Sequence, residues 1–458
     1  MQPESPMMSK SPAKSAAADG QGSLLTLALL SLVVGLGTGL IGAAFRLALA
    51  QADRLRNVLV AWAHGGHLAG FVLVTASVAA ATALASWLVR RFSPTAAGSG
   101  IPQVEAVLEA QLPQAAFYLI PIKFLGGLLA IGAGLALGRE GPSVQIGASI
   151  GDRLGQTFRR NWPDCRVLIA AGAGAGLSTA FNAPIAGAIF VLEELVRRFE
   201  HRIAIAALGA SATAIAVARM LLVDAPDFHV DVLNYAGAET RVLYFVLGVF
   251  AGLFAMLYNR ALLATMAAAE RLARWPQELK AALVGAAVGM LAWYAPMLVG
   301  GGDTITQRTL AGTDALTIVP LIFLIRFGLG TVCYAARTPG GLFAPLLVLG
   351  AQLGLMFGSL CRLAFPDFHI QPEGFAIVGM AALFTGVVRA PITGIVLVVE
   401  MTDSVRMLLP MLGACFTAML VPTMLKGAPI YESLRAGILR QAAASPSAPP
   451  SNQVDSAV

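Results

Sequence analysis

Residues 138–147 read GREGPSVQIG, and Leu135–Leu137 lead into them from an apolar run. An arginine and a glutamate in such a run are costly, and a chain punctuated by Gly and Pro there starts a new helix. The first backbone N–H groups of that helix lack partners. Its macrodipole puts partial positive charge at the same point. Together these make an anion site. Glu140 stands at the start of this helix. Its carboxylate is stabilised by the N–H groups that would hold a free anion, so the two compete for one site. An arriving anion favours a Glu140 that has protonated or swung away, which is a gate sensitive to both anion and pH. The plainer reading is a glutamate that caps a helix facing a loop.

The same punctuation recurs. GSGIP (98–102), FNAP (181–184), TPGGLFAP (338–345) and VVRAP (387–391) also interrupt apolar stretches. Backbone at membrane depth must be buried in protein or line a cavity, and paired breaks in two halves of a chain point to a binding site. Helix starts are expected after GSGIP, GREGP, GGLFAP and the two Ala-Pro breaks. The halves also resemble each other. Gly147 aligns with Gly350 and Gly151 with Gly354, each 203 residues apart, while Pro184 aligns with Pro391 and Glu193 with Glu400, each 207 apart. Two landmarks in the same order argue for an internal duplication, with its orientation, parallel or inverted, left open. A full Lys or Arg charge would hold an anion tightly and release it slowly. Conduction needs weak, multiple ligands, which helix ends and hydroxyls provide.

These motifs sit in 458 residues that are 57% hydrophobic and 12% charged, with mean hydropathy +0.75. Soluble proteins carry about 25% charged residues, so the chain reads as an all-α polytopic membrane protein, not an outer-membrane barrel. Stretches 68–89, 281–299 and 407–425 are uncharged candidate spans. Stretches 24–49, 242–269 and 316–336 carry only Arg46, Arg260 and Arg326. Residues 1–22 and 435–458 read as disordered ends, flanking a membrane domain over 23–434 with repeats at about 68–223 and 242–425. The net charge of +6 fits arginines at cytoplasmic span ends, such as Arg90–Arg91 and Arg197–Arg198, and not nucleic-acid binding. The four cysteines have no metal or disulfide spacing, so neither a metal nor a cofactor is expected. A serine nucleophile at Ser99 would need a base, and no histidine lies inside a clean span. An enzyme is therefore disfavoured.

GSGIP, GREGP and GGLFAP resemble the three signature stretches of the CLC chloride channel and transporter family. FNAPIAGAIFVLEE, GGGDT (300–304) and GAPIYESL (427–434) extend the resemblance over about residues 24–434. It implies the CLC-type fold of two inverted repeats with broken and re-entrant helices, and a homodimer with one ion pathway per subunit. It places the central chloride on the Ser99 and Tyr431 hydroxyls and the Leu342 and Phe343 amides. Glu140 becomes the gate that takes protons from outside, and Glu194 the inner proton-transfer residue. An acidic residue at 194 favours chloride/proton exchange, with a voltage-gated chloride channel on the same fold as the alternative. Serine at 99 favours chloride over nitrate or fluoride. The expected setting is a bacterial inner membrane with both termini cytoplasmic, and no regulatory domain after the membrane part.

Each assignment has a plainer rival. Ser99 could only cap a helix, Tyr431 could be an interfacial aromatic, and Glu194 could be a solvated carboxylate beside Arg197–Arg198, with Glu193 one residue away. Glu105 and Glu109 read as structural or electrostatic and not as ligands, and Arg139 as shaping the local potential without touching the anion.

Overall fold

The structure, a computed structural model, describes residues 13–222, 225–230, 240–272 and 274–443. The outer parts of the two expected disordered ends, 1–12 and 444–458, lie outside the described residues. Helices follow in the order α1 (Ala13–Ala63), α2 (His67–Phe92), α3 (Ile101–Leu108), α4 (Leu119–Gly132), α5 (Glu140–Thr157), α6 (Trp162–Phe181), α7 (Pro184–Phe190) and α8 (His201–Leu221). Then come α9 (Arg241–Arg271), α10 (Gln277–Tyr294), α11 (Asp303–Leu310), α12 (Val319–Ala335), α13 (Phe343–Ala364), α14 (Pro372–Val388), α15 (Pro391–Thr402), α16 (Leu408–Met424) and α17 (Ile430–Ala443). Helix α1 covers 13–22, expected to be disordered, and α17 runs past Leu434, the expected end of the membrane domain. The span expected over 281–299 ends early: α10 stops at Tyr294, and Pro296 opens a separate short turn.

Helices of very different reach share this bundle. A crossing takes about 20 residues, and α4, at 14 residues, and α15, at 12, fall short. Helix α13 is long enough to cross, yet 83% of its apolar window is buried in protein, against 39–50% for the other four long apolar segments. It is the central post of the fold.

The duplication is structural. Gly147 of α5 packs backbone to backbone on Gly172 of α6, and a Cβ on either would strike the other's carbonyl. Gly350 of α13 and Gly379 of α14 repeat this contact, and Gly151 on Leu168 is repeated by Gly354 on Phe375. These partners keep the 203- and 207-residue separations found in the sequence.

The orientation of the repeats follows from two glutamates. The Glu193 carboxylate, just past the end of α7, accepts from Ile392 N at 3.0 Å and Thr393 N at 2.7 Å, at the start of α15. Glu400, near the end of α15, accepts from Ile185 N at 3.1 Å and Ala186 N at 2.7 Å, at the start of α7. Each helix is capped by the far end of its counterpart, so the equivalent helices run antiparallel and the repeats are inverted. Both caps join a negative charge to a positive helix end.

The GGG turn at 300–302 is held by Arg326 of α12, which is 1% exposed. Its guanidinium donates to the carbonyls of Leu298 (3.1 Å), Gly300 (2.8 Å) and Gly301 (2.9 Å). Arg326→Met strands these acceptors in a dry interior. A loss of stability on the order of 3 kcal/mol is expected, read as an earlier loss of the monodisperse elution peak on heating in detergent.

Candidate functional site

The three glycine-rich stretches meet and pair their backbones. Gly98 N donates to Thr338 O at 3.2 Å, and Gly340 N donates to Gly98 O at 3.1 Å. Gly138 and Gly341 exchange N–H···O bonds of 2.9 and 2.7 Å. Unwound backbone inside a membrane thus finds its partners in other unwound backbone. Gly100, at φ +93°, turns the chain into α3, a left-handed position that favours glycine.

Glu140 is the first residue of α5 and is fully buried. Its Oε1 accepts from Phe343 N at 2.6 Å, and its Oε2 has no hydrogen-bond partner. The sequence suggested that the N–H groups of its own helix would hold this carboxylate. The backbone N–H of Glu140 does act on it, and a 2.6 Å bond also goes across to α13, to one of the amides that the resemblance assigns to the anion. A negative charge at the start of the central helix is favoured by the dipole and by a charge-assisted bond. The cradle tolerates no side chains: a Cβ on Gly341 would lie 2.8 Å from the Glu140 carboxyl carbon, and one on Gly138 2.5 Å from it.

Ser99 Oγ and Tyr431 Oη are both buried without a hydrogen-bond partner. Buried hydroxyls nearly always have one, so two orphans together mark a place for a guest. A Cβ on Gly141, the residue after Glu140, would lie 2.6 Å from the Ser99 hydroxyl. The Phe343 ring packs beside them, 5.9 Å from the Tyr431 ring and 4.6 Å from Phe384. Leu342 is fully buried and caps α13. Ser99, Glu140, Leu342, Phe343 and Tyr431 are thus gathered in one region. Tyr431 is 0% exposed, which removes the interfacial-aromatic reading.

Glu194 lies elsewhere, in a wide π turn over Val191–Leu195 that follows α7. Such turns concentrate at functional sites. Only 3% exposed, Glu194 is not the solvated carboxylate of the plainer reading, although Arg197 Nη2 lies 3.5 Å away. Glu193 is committed to its cap on α15, which separates the two neighbours. The structure gives Glu105 an electrostatic neighbour, Glu194, that the sequence did not name. Glu109 pairs with Arg435 at 2.7 Å, while Glu105, 1% exposed, lies 3.9 Å from the same guanidinium and faces the Glu194 carboxyl.

Lys123 was also passed over. Its ammonium is fully buried in α4 and donates to Ala96 O at 3.0 Å and Gly98 O at 2.8 Å, bracing the turn that carries Ser99. Its being the one charge in the apolar stretch LIPIKFLGG was the available signal. Arg139 behaves as a brace, donating to Ala180 O at 2.8 Å and to Asp227 and Asp303 at 3.1 Å each. A cavity of about 810 Å³, lined by Gly98, Tyr334, Arg337 and Arg440 among others, opens beside the Ser99 turn.

Residues 81–423 match the family described as voltage gated chloride channel. The chain is 39% identical over 425 residues to the H(+)/Cl(-) exchange transporter ClcA of Citrobacter koseri, covering 91% of this chain and 89% of that one. It is 38% identical over 426 residues to the protein of the same name from Salmonella arizonae, with the same coverage. The solved structure of a slow cyanobacterial Cl-/H+ antiporter superposes with a TM-score of 0.86 at 32% identity, covering 91% of this chain and 98% of that one. With its inverted repeats and its three paired signature turns, the chain belongs to the voltage gated chloride channel family, the CLC channels and transporters.

Proposed function

We propose that the protein exchanges chloride for protons across the membrane, with Glu140 as the group through which the two ions meet. The observation that carries this reading is the Glu140 carboxylate on the Phe343 amide, where an anion would otherwise bind. Chloride takes the Leu342 and Phe343 amides and the Ser99 and Tyr431 hydroxyls. It displaces the carboxylate, which leaves carrying a proton. No lysine or arginine contacts the ion directly, which keeps binding weak enough for release. Glu194, with Glu105 beside it, passes protons between Glu140 and the opposite side. Two adjacent buried carboxyls can share one proton and so avoid facing each other as two charges. Serine at 99 supports chloride as the preferred anion.

The face with Arg90, Arg91, Arg337 and Arg440 is cytoplasmic by the positive-inside rule, in an inner membrane with both chain ends on that side. The working unit is a homodimer. Ile185 and Ile392 are 54% and 57% exposed on the face that holds the half-buried Glu193 and Glu400 caps. Carboxylates against lipid are costly, and a second copy covers them. Light scattering in detergent should give twice the 47.4 kDa chain mass; a monomer would remove this part.

The central test uses liposomes loaded with chloride in a weakly buffered medium. Chloride leaving down its gradient should draw protons inward and raise the external pH, and a proton ionophore should abolish the rise. Chloride efflux that needs only a potassium ionophore and moves no protons would make the protein a channel. Tyr431→Ala should weaken chloride binding by about tenfold, the value of one hydrogen bond to a charged group, read by calorimetry. Unaltered affinity would take Tyr431 out of the site.

A further inference from the structure

We propose that the Tyr334 hydroxyl is a further anion ligand, the one an anion meets between the 810 Å³ cavity and Ser99. This extends the exchange reading and rests on it.

Tyr334 lies near the end of α12, is 6% exposed and lines the cavity together with Gly98. Its oxygen accepts from Ser99 N at 3.4 Å. Among the described residues its own hydrogen meets no acceptor. The lone pair is therefore anchored to protein while the O–H is left for a guest. An N–H that donates into a hydroxyl polarises it and strengthens it as a donor in turn. Gly98 permits this arrangement, because even a Cβ there would come within 3.2 Å of the Tyr334 oxygen.

The cavity supplies the other half of the argument. Arg337 and Arg440 line it, but so do Glu270 and Glu432. Its charges are mixed, so they do not by themselves hold an anion at the Ser99 turn. A neutral donor at its inner end does. The Tyr334 hydroxyl stands against the Ser99 backbone, and the Tyr431 ring packs 5.9 Å from Phe343, so the hydroxyls of Tyr334, Ser99 and Tyr431 form successive footholds leading to the Phe343 amide. A hydroxyl tethered to the Ser99 amide also ties outer and inner occupancy together. An anion bound at Tyr334 pulls on the hydroxyl that stands against the Ser99 backbone.

Tyr334→Phe keeps the ring and removes only the donor. In oriented proteoliposomes of the full chain, the KM for chloride on the face bearing this cavity should rise about fivefold, the value of one hydrogen bond near 1 kcal/mol. The KM on the other face and the number of protons moved per chloride should stay within about twofold of wild type, a split that a merely structural role would not produce. As a second measurement, bromide soaked into wild-type crystals should give anomalous density within hydrogen-bonding distance of the Tyr334 oxygen. An unchanged or lower KM on the cavity face, or bromide sites that avoid Tyr334, would overturn the proposal. Wild-type liposomes that move no protons with chloride would instead overturn the exchange reading, and the bromide result would still decide Tyr334.

Discussion

Glu140→Gln is expected to stop proton movement while chloride continues to cross. The carboxylate holds the Phe343 amide at 2.6 Å with one oxygen and leaves the other unpartnered. Glutamine has nearly the same shape but cannot carry a proton, and its carbonyl is a weaker acceptor than a carboxylate. Chloride then meets a weaker competitor at the start of α13. Its affinity should rise by about fivefold, for a loss of about 1 kcal/mol in the competing bond. In the liposome assay the external pH should stay flat while chloride leaves whenever the voltage is shunted. A pH rise as large as wild type would mean that protons travel without Glu140, and the competition argument would fail. Gly341→Ala probes the same cradle from the other wall. A Cβ there would lie 2.8 Å from the Glu140 carboxyl carbon, so the methyl should push the carboxylate off the amide and slow chloride and proton flux together. Slowed chloride with protons still moving at the wild-type rate would place the methyl's effect on the chloride path alone.

Much of this arrangement was legible in the sequence, because glycine and proline in an apolar run have few other uses. The breaks at GSGIP, GREGP and GGLFAP do open helices. All three starts fall inside the motifs and not after them, at Ile101, Glu140 and Phe343. Proline suits the first turn of a helix, so Pro142 and Pro345 lie within α5 and α13 and not ahead of them. Glu140 is the first residue of its helix, where its position in the motif put it. The start at Phe343 makes the Phe343 amide one of the unpartnered N–H groups of α13. The duplication was visible as spacing, but its inverted sense needed Glu193 and Glu400 to be seen across from each other's helix starts. What stayed hidden depends on distant pairing. Nothing near Glu105 in the sequence announces Glu194, and nothing near Tyr334 announces Ser99, since both partnerships join elements far apart along the chain. Lys123 was exposed to inspection as a lone charge, yet its role depends on carbonyls of Ala96 and Gly98 that the fold brings to it.

Glu194→Gln should abolish proton movement and spare chloride flux. Glu194 makes no hydrogen bond to Ser99 or Tyr431 and acts on Tyr431 only through its charge, so a neutral glutamine leaves the chloride ligands in place. Its neighbourhood favours a carboxyl that can hold a proton. It is 3% exposed, it has Glu105 as an electrostatic partner, and its one ion-pair distance is the loose 3.5 Å to Arg197. Glutamine fills the same space and binds no proton, so the relay to Glu140 is cut. The distinction from Glu140→Gln is informative. Both variants should lose protons, but only the Glu140 change should tighten chloride binding, because only Glu140 competes for the Phe343 amide. Proton movement that survives Glu194→Gln would shift the relay to Glu105. The double variant Glu105→Gln with Glu194→Gln decides between them: loss of protons only in the double variant means that either member of the pair can pass the proton. Protons that persist even then would return both residues to a structural role beside Arg197 and Arg435.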